Sequence, residues 1–120
     1  MPARNDALID RLSRSREINL SVIGRKSGKT ISMPVWFVLE DKNLYLLPAR
    51  GSDTQWYKNV LKNPSIRIGA GSAKAELSVV PVSDARKVKP VIEKFRAKYG
   101  ESGIRLYKKL DVAVIGQIET

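Results

Sequence analysis

Residues 17–47 read EINLSVIGRKSGKTISMPVWFVLEDKNLYLL, with a charged, glycine-containing segment between two apolar runs. Apolar and β-branched residues alternate with polar ones before Gly24 and again after Gly28, as they do on half-buried strands. The pattern predicts two strands, 17–23 and 30–40, joined by a charged turn. Two strands joined by a short turn pair in the antiparallel direction, so this stretch begins an antiparallel sheet.

The rest of the chain adds further short strands and helices. Turn residues at 41–43 lead from the second strand into a third one, which Pro48 ends. Strands are predicted over residues 44–47, 65–68, 75–82 and 112–118, and helices near the N-terminus and over residues 54–62, 83–100 and 104–110. Pro90 requires that the helix 83–100 begin near Lys89 or bend there, and Gly100 suits its C-terminal end.

These elements amount to about six mostly antiparallel strands and two to four helices, without the strand-helix alternation that a parallel sheet needs. The expected fold is therefore α+β, with an antiparallel barrel or a strongly curled sheet. A length of 120 residues argues for a single domain spanning residues 1–120.

The composition excludes much familiar enzyme chemistry. The chain has no Cys and no His. This removes thiol nucleophiles, disulfides, the usual general base and most zinc or iron sites, so no metal site is expected. The chemistry must come from Tyr, Lys, Arg, Ser, Asp or Glu, or from a bound cofactor that the protein holds and orients.

The charge balance is strongly basic. The chain carries 22 Lys and Arg against 12 Asp and Glu, a net charge of +10. Such an excess favours a polyanionic partner: nucleic acid, an acidic membrane surface, or a small ligand with phosphates and carboxylates. Nucleic acid is suggested by the basic residues that gather near the C-terminus, namely Lys94, Arg96, Lys98, Arg105, Lys108 and Lys109. The alternative for this cluster is an ordinary solvated helical face.

The N-terminal helix has two interpretations, contact with an anionic membrane or docking on the sheet. Its apolar residues are Leu8, Ile9 and Leu12, and its basic residues are Arg4, Arg11 and Arg14. No apolar run approaches the roughly 18 residues that cross a bilayer, and the opening stretch MPARNDALID lacks the apolar core of a signal peptide. The expected location is the cytoplasm, with peripheral membrane contact as an alternative.

Residues 24–30, GRKSGKT, form the most informative motif. Its ending is similar to a nucleotide-triphosphatase loop, but that motif needs four residues between its glycines and a helix afterwards. This chain has three residues there and a predicted strand. Glycines still let the backbone approach an anion, while three basic side chains supply charge and Ser27 a hydroxyl. Residues 24–29, which we call the cationic turn, are thus either a phosphate site or a solvated turn.

A second candidate site is residues 48–59, PARGSDTQWYKN. A strand end, a turn with glycine and a helix capped by Ser52 or Asp53 bring backbone N–H groups together. Such groups favour an anion or a planar ring rich in carbonyls. Trp56 and Asn59 lie three apart and share a helical face. The other interpretation is that Trp56 anchors the core, with Asn59 a satisfied polar group beneath it.

Taken together, the two motifs resemble the deazaflavin-dependent nitroreductase and quinone reductase family. The resemblance rests on GRKSGK, a strand with Pro34, a hairpin into LYLLPARGS, and the pattern W-Y-x-N-x-x-x-N-P from Trp56 to Pro64. It covers residues 20–68 and continues more weakly toward the C-terminus. It implies a flavin-binding split β-barrel and an oxidoreductase. The reaction would be hydride transfer from coenzyme F420, or in relatives FMN, to a quinone, nitroaromatic or similar small acceptor.

Carried over by position, the resemblance implies two groups of cofactor-binding residues. Facing the phosphate and acidic tail of the coenzyme would be Arg25, Lys26, Ser27, Gly28 and Lys29, with Arg50 as a further tail contact. The ring would lie against Pro34, Val35, Trp36 and the backbone of Pro48, Ala49, Arg50 and Gly51, supported by Trp56 and Asn59. The catalytic residues are unknown, with Tyr99 and Tyr107 as candidates on the acceptor side.

Three further implications stay open. The family often has a basic residue shortly after the cationic turn, where this chain has Thr30, Ile31 and Ser32. FMN, with its single phosphate, is therefore the alternative cofactor. A non-catalytic carrier of flavin or deazaflavin is the alternative function, followed by a nucleic-acid-binding module. Barrels of this type often pair with their cofactor sites near the interface, so the resemblance implies a homodimer or a monomer.

Overall fold

Seven strands and three α-helices build the part of the chain that the computed structural model describes, residues 6–118. In chain order they are α1 (Asp6–Ser13), β1 (Glu17–Ile23), β2 (Thr30–Trp36), β3 (Val38–Glu40), β4 (Asn43–Leu46), α2 (Gln55–Lys62), β5 (Ser65–Ala70), β6 (Ala73–Val82), α3 (Ala85–Ile104) and β7 (Ala113–Gln117). A short 3-10 turn, Gly51–Asp53, precedes α2.

The strands form one antiparallel sheet in the order β2-β1-β5-β6-β7-β4-β3. β2 and β3 lie at opposite ends of that order although only Phe37 separates them in the chain, so the sheet curls back on itself as an open barrel. The predicted α+β fold is confirmed. The predicted strand 30–40 is two strands, because the Phe37 N–H donates to the Tyr99 hydroxyl at 3.1 Å rather than to a neighbouring strand.

The inner face of the sheet encloses the main apolar core. Side chains alternate between the two faces of a strand, and Leu20 and Val22 of β1 are 0% and 1% exposed. Trp56 and Val60 of α2 belong to the same core. Burying one such aliphatic side chain contributes about 1.5–3 kcal/mol relative to leaving it in water. Alternation in the sequence therefore determines which face of each strand turns inward.

α1 docks on the barrel by its apolar face. Leu8 and Leu12 lie one turn apart, and both are buried in the main core. A helix at a membrane surface needs its apolar side chains for the lipid, and Leu8 and Leu12 are already engaged in the core. Of the two interpretations, the structure shows docking on the sheet. Arg4, which was part of the membrane interpretation, lies outside the described residues. Among the described residues, no helix has the length and apolar character to span a bilayer.

α3 packs a second apolar cluster against β3 and β7. Its buried residues include Val88, Val91, Phe95 and Tyr99. The Asp84 carboxylate accepts from the Arg86 N–H at 2.9 Å, so the helix begins at Ala85 and includes Pro90. A start near Lys89 is therefore wrong. Gly100, with φ +80°, ends the regular helix as predicted, and one further turn follows to Ile104.

Residues 105–110 are not helical, contrary to the predicted helix 104–110. The Lys108 N–H donates to the Ala49 carbonyl at 2.7 Å, and a short parallel bridge joins Arg50 to Lys109. Backbone groups that pair between two segments cannot also make helical bonds. The pairing brings the segment before β7 beside the segment that follows β4.

Candidate functional site

A cavity of about 230 Å³ opens between the end of β2, the segment after β4, the start of α2 and the segment before β7. We call it the aromatic cavity, and it is lined by Glu17, Pro34, Val35, Trp36, Leu47, Ala49, Trp56, Leu106 and Tyr107. Ligand pockets usually measure roughly 300–1,000 Å³. The aromatic cavity therefore has room for one flat group, and the rest of a larger ligand must lie outside it.

Trp36 is a fixed wall of the aromatic cavity. Its ring stacks on Tyr99, with centroids 4.2 Å apart and planes inclined by 7°. A Cβ at Gly103 would lie 3.1 Å from the indole, so that position has no room for a side chain. Tyr107 packs at a tilt with its centroid 6.3 Å away. An aromatic wall that is already held in place costs less entropy when a ligand binds.

Trp56 anchors the core, as one of its two interpretations predicted, and it also faces a cavity. It is 6% exposed within the main core and also lines the aromatic cavity. Among the residues expected beside the ring, Pro34, Val35, Trp36 and Ala49 line this cavity too. Pro48, Arg50, Gly51 and Asn59 lie outside its lining.

The two candidate tyrosines have different surroundings. The Tyr99 Oη lies 2.8 Å from the Phe37 carbonyl and 2.5 Å from the Arg16 carbonyl, and it accepts from the Phe37 N–H. The backbone therefore occupies this hydroxyl. Tyr107 lines the aromatic cavity. Burial, with a smaller contribution from Tyr99, raises the pKa of Tyr107, so its hydroxyl keeps the proton at neutral pH.

The backbone N–H groups of residues 50–54, in the turn after β4, all donate hydrogen bonds within the protein. In chain order, they donate to Thr54 Oγ1, Pro48 O, Asp111 Oδ1, Arg50 O and Gly51 O. Contrary to expectation, these five groups are not free for an anion. Thr54 is the N-cap of α2, rather than Ser52 or Asp53, and its hydroxyl accepts from the Arg50 N–H at 2.8 Å.

Asp111 anchors this turn to the segment before β7. Its carboxylate accepts from the Ser52 N–H at 2.9 Å and from Ser52 Oγ at 2.6 Å, and Lys109 Nζ lies 3.6 Å away. Partial burial alone would raise the pKa of Asp111, but the Ser52 bonds and Lys109 outweigh it and lower that pKa. Gly51 has φ +56°, and a Cβ there would lie 2.2 Å from Asp111 Oδ1. This close approach requires glycine.

A second cavity, of about 410 Å³, lies at the cationic turn. We call it the cationic cavity, and it is lined by Ile23, Gly24, Arg25, Lys26, Ser27, Gly28, Lys62 and Asn63. The Gly24 N–H donates to the Lys29 carbonyl at 2.8 Å and closes the turn. Within residues 6–118, no ion pair or hydrogen bond involves the Lys26 or Lys29 ammonium, or the N–H groups of Lys26 and Ser27. Such groups suit an anion.

Arg25 and Asn59 contact each other. Asn59 is 4% exposed, and its Oδ1 accepts from the Arg25 N–H at 3.1 Å and from Arg25 Nη1 at 2.8 Å. Arg25 Nη2 donates to Gln55 Oε1 at 2.8 Å. These bonds join the cationic turn to α2. We call Arg25, Gln55 and Asn59 the α2 bracket.

Most of the predicted site residues line one of two cavities that share no lining residue, but six line neither: Lys29, Pro48, Arg50, Gly51, Asn59 and Tyr99. Sequence reasoning missed Glu17, Leu47 and Leu106 in the aromatic cavity and Ile23, Lys62 and Asn63 in the cationic one. The sequence offered a signal for Leu106, because it is a large apolar residue within a basic segment. In the structure its side chain is 65% exposed. The other residues come from elements whose packing the local pattern does not contain.

The fold matches several solved structures at low sequence identity. An F420-H2 dependent reductase has a TM-score of 0.67 and 18% identity, over 85% of this chain and 94% of that one. HutZ, the heme storage protein from Vibrio cholerae, has a TM-score of 0.71 and 16% identity, over 95% and 89%. A Listeria innocua structure assigned to the pyridoxamine 5'-phosphate oxidases has a TM-score of 0.68 and 12% identity, over 95% and 91%. The likeness establishes the fold, and the predicted split β-barrel is confirmed.

Residues 8–112 match the family described as "Uncharacterized protein conserved in bacteria (DUF2255)". The chain therefore belongs to this family. No curated protein sequence matches it.

Proposed function

We propose that this protein is a reductase that binds a planar redox coenzyme of the flavin or deazaflavin type. The observation that carries the proposal is the pairing of an aromatic cavity with a separate cationic cavity along α2. A flat ring with an anionic side chain is the ligand chemistry that suits both. The F420-H2 dependent reductase of the same fold supports the same class.

The residues present fit such a coenzyme. Trp56, Pro34 and Val35 offer apolar surface to a ring, and Lys26 and Lys62 offer charge to its phosphate. Lys29 lies on the same turn, outside the lining of the cationic cavity. Arg50 is exposed on the neighbouring turn, where an acidic tail can reach it. Coenzyme F420, which carries a phosphate and an acidic tail, uses more of this charge than FMN does. FMN is the alternative because a single phosphate satisfies the cationic cavity.

When bound in its reduced form, the coenzyme supplies a hydride, which the chain's own side chains cannot supply. The protein's part is to place the acceptor over the open side of the aromatic cavity, beside Leu106 and Tyr107. Two-electron reduction of a quinone or nitroaromatic consumes one hydride and then a proton. Tyr107, which lines the aromatic cavity, or water supplies that proton to the acceptor oxygen. Because burial makes the Tyr107 hydroxyl a weaker acid, its transfer depends on the negative charge that develops on the acceptor.

Two other functions compete with this proposal. A non-catalytic carrier of the same coenzyme uses the same cavities, and a storage protein shares the fold. Nucleic-acid binding is less well supported, because four of the six basic residues near the C-terminus are engaged within the protein: Lys94 with Glu40, Arg96 with Glu93 and Glu101, Lys98 with the Phe37 carbonyl, and Lys109 with Asp53.

The proposal is tested by titrating the purified protein with reduced coenzyme F420 and with FMN, and then adding menadione or a nitroaromatic. We expect saturable binding of at least one coenzyme and oxidation of the reduced form that depends on the acceptor. Lys26→Ala and Lys29→Ala should weaken binding, whereas Lys74→Ala removes an equal charge from β6 and should not. Binding without turnover would favour the carrier. Indifference to both coenzymes, with salt-sensitive binding of DNA or RNA, would favour nucleic acid.

A further inference from the structure

The α2 bracket links the two cavities. Arg25 lines the cationic cavity, and Gln55 precedes Trp56, which lines the aromatic cavity. Trp56 lines the aromatic cavity, Asn59 belongs to the bracket, and Lys62 lines the cationic cavity. Asn59 is three residues from each of the other two and so neighbours both on the helix surface, while Trp56 and Lys62 lie about 120° apart around the axis. At a rise of about 1.5 Å per residue, Trp56 and Lys62 are separated by about 9 Å along the axis of α2.

The bracket fixes the cationic turn to that helix at several points. The Arg25 N–H and guanidinium donate to side chains of α2, and Lys62 Nζ donates back to the Arg25 carbonyl at 3.4 Å. Asn59 is buried, so its amide has few other orientations. A turn held through both its backbone and its side chain cannot slide along α2.

The bracket also leaves the cationic cavity charged. Its central acceptor is the neutral amide of Asn59, which satisfies Arg25 without placing a carboxylate beside the cavity. The ammonium groups of Lys26 and Lys62 therefore keep their attraction for an anion. Arg25 also lines the cationic cavity, whereas Asn59 holds the turn without lining either cavity.

We propose that Arg25, Gln55 and Asn59 are positioning residues that set the distance between the two cavities. This distance selects ligands whose planar ring and anionic group are separated by a spacer of matching length. The inference rests on the proposed coenzyme binding and adds to it the property by which ligands are chosen. A ligand with the anion next to its ring reaches only one of the two cavities.

The test compares three flavins by the dissociation constant that quenching of flavin fluorescence gives. Riboflavin has no anion, FMN carries its phosphate at the end of the ribityl chain, and a third flavin has a carboxymethyl group in place of that chain. We expect the wild type to bind FMN about tenfold or more tightly than riboflavin. One charge-assisted hydrogen bond to the phosphate contributes enough free energy for this difference. The carboxymethyl flavin should bind no more tightly than riboflavin.

The variants then separate positioning from stability. Asn59→Ala should bring the FMN constant to within about threefold of the riboflavin constant, which itself stays nearly unchanged. Gln55→Ala removes an exposed part of the bracket and leaves the core intact. It should lose part of the FMN advantage, by which we mean the ratio of the riboflavin dissociation constant to the FMN dissociation constant. Val60→Ala is the matched control, because it destabilises the same helix from a fully buried position outside the bracket. Val60→Ala should therefore keep the full preference of the wild type for FMN over riboflavin.

The outcomes distinguish the two proposals. Loss of the FMN advantage in Asn59→Ala and Gln55→Ala, but not in Val60→Ala, supports positioning by the bracket. Retention of that advantage in Asn59→Ala and Gln55→Ala, or its equal loss in Val60→Ala, overturns the inference and leaves the proposed function standing. If the wild type binds none of the flavins and no reduced coenzyme F420, the proposed function fails and this inference fails with it.

Discussion

The hydroxyl of Tyr99 holds the backbone of Phe37 from 62 residues further along the chain, accepting its N–H at 3.1 Å and lying 2.8 Å from its carbonyl. Phe37 is the residue at which the chain leaves β2 and enters β3. The Tyr99 ring at the same time stacks on Trp36. One side chain of α3 therefore fixes both the break in the sheet and a wall of the aromatic cavity.

Removing this hydroxyl should destabilise the fold. Tyr99→Phe keeps the ring but leaves the buried Phe37 N–H without its acceptor, so the free energy of unfolding should fall by about 1–3 kcal/mol in urea denaturation. Tyr45→Phe is the matched control. The Tyr45 ring faces Lys94 at the surface of α3, and its loss of a hydroxyl should change stability by less than about 0.5 kcal/mol. Equal effects of the two substitutions would contradict the role given to Tyr99.

The other candidate tyrosine should affect turnover instead. Tyr107→Phe removes the proposed proton donor while the ring still packs on Phe95 and Trp36. We expect kcat for quinone reduction to fall by about a hundredfold, within the range that general acids contribute, with little change in the coenzyme dissociation constant. Tyr45→Phe again serves as the comparison, and kcat should not change in it. An unaltered kcat in Tyr107→Phe would assign the proton to water.

Two glycines with positive φ should respond differently to alanine. At Gly28, with φ +72°, nothing lies within 4 Å of a Cβ, so Gly28→Ala should cost only the roughly 1–2 kcal/mol of left-handed backbone strain. At Gly51 the Cβ would also meet Asp111 Oδ1 at 2.2 Å and Lys109 Cβ at 2.9 Å. Gly51→Ala should cost about 1–3 kcal/mol more through overpacking. Thermal denaturation of the two variants would show this order, and similar losses would contradict the close packing of the turn.

Lys98 should make stability rise with pH. Burial, and then the charge of Arg16, lowers the pKa of Lys98 to about 8 in the folded protein, from 10.5. Between these pKa values the unfolded chain retains a proton that the folded chain has released, so raising the pH favours the folded state. The free energy of unfolding of the wild type, relative to Lys98→Met, should therefore increase from pH 8 to pH 10. A flat or falling difference would show that Lys98 keeps an ordinary pKa.

Much of the fold follows from local pattern, and its departures have identifiable causes. The alternation in EINLSVI places β1 and its inward residues correctly, because burial of one face decides the register. The break at Phe37 lies in an apolar run without Gly or Pro, and the hydroxyl that causes it comes from α3. The helix predicted over residues 104–110 gives way to pairing with the segment after β4. Such long-range partners leave no trace in the neighbouring residues.

The candidate site also has some features that the local sequence shows and others that depend on long-range packing. The cationic turn is recognisable because its glycines and charges are adjacent in the chain, and so are Pro34, Val35 and Trp36. The sequence does not show that Arg25 and Asn59 form hydrogen bonds with each other. Nor does it show that Asp111, 59 residues further along the chain, accepts a hydrogen bond from the Ser52 N–H and closes the turn. Those relations depend on how α2 and the segment before β7 pack.

We propose that the aromatic and cationic cavities hold the two ends of one ligand. Both tryptophans of the chain line the aromatic cavity, so their indole N–H signals in a nitrogen-15 NMR spectrum report on it directly. On titration with FMN or coenzyme F420, we expect saturable shifts of the Trp36 and Trp56 indoles together with the amides of Lys26 and Ser27. Shifts confined to one cavity, shifts only around Arg67 and Lys74 on the outer sheet face, or no shifts would contradict it.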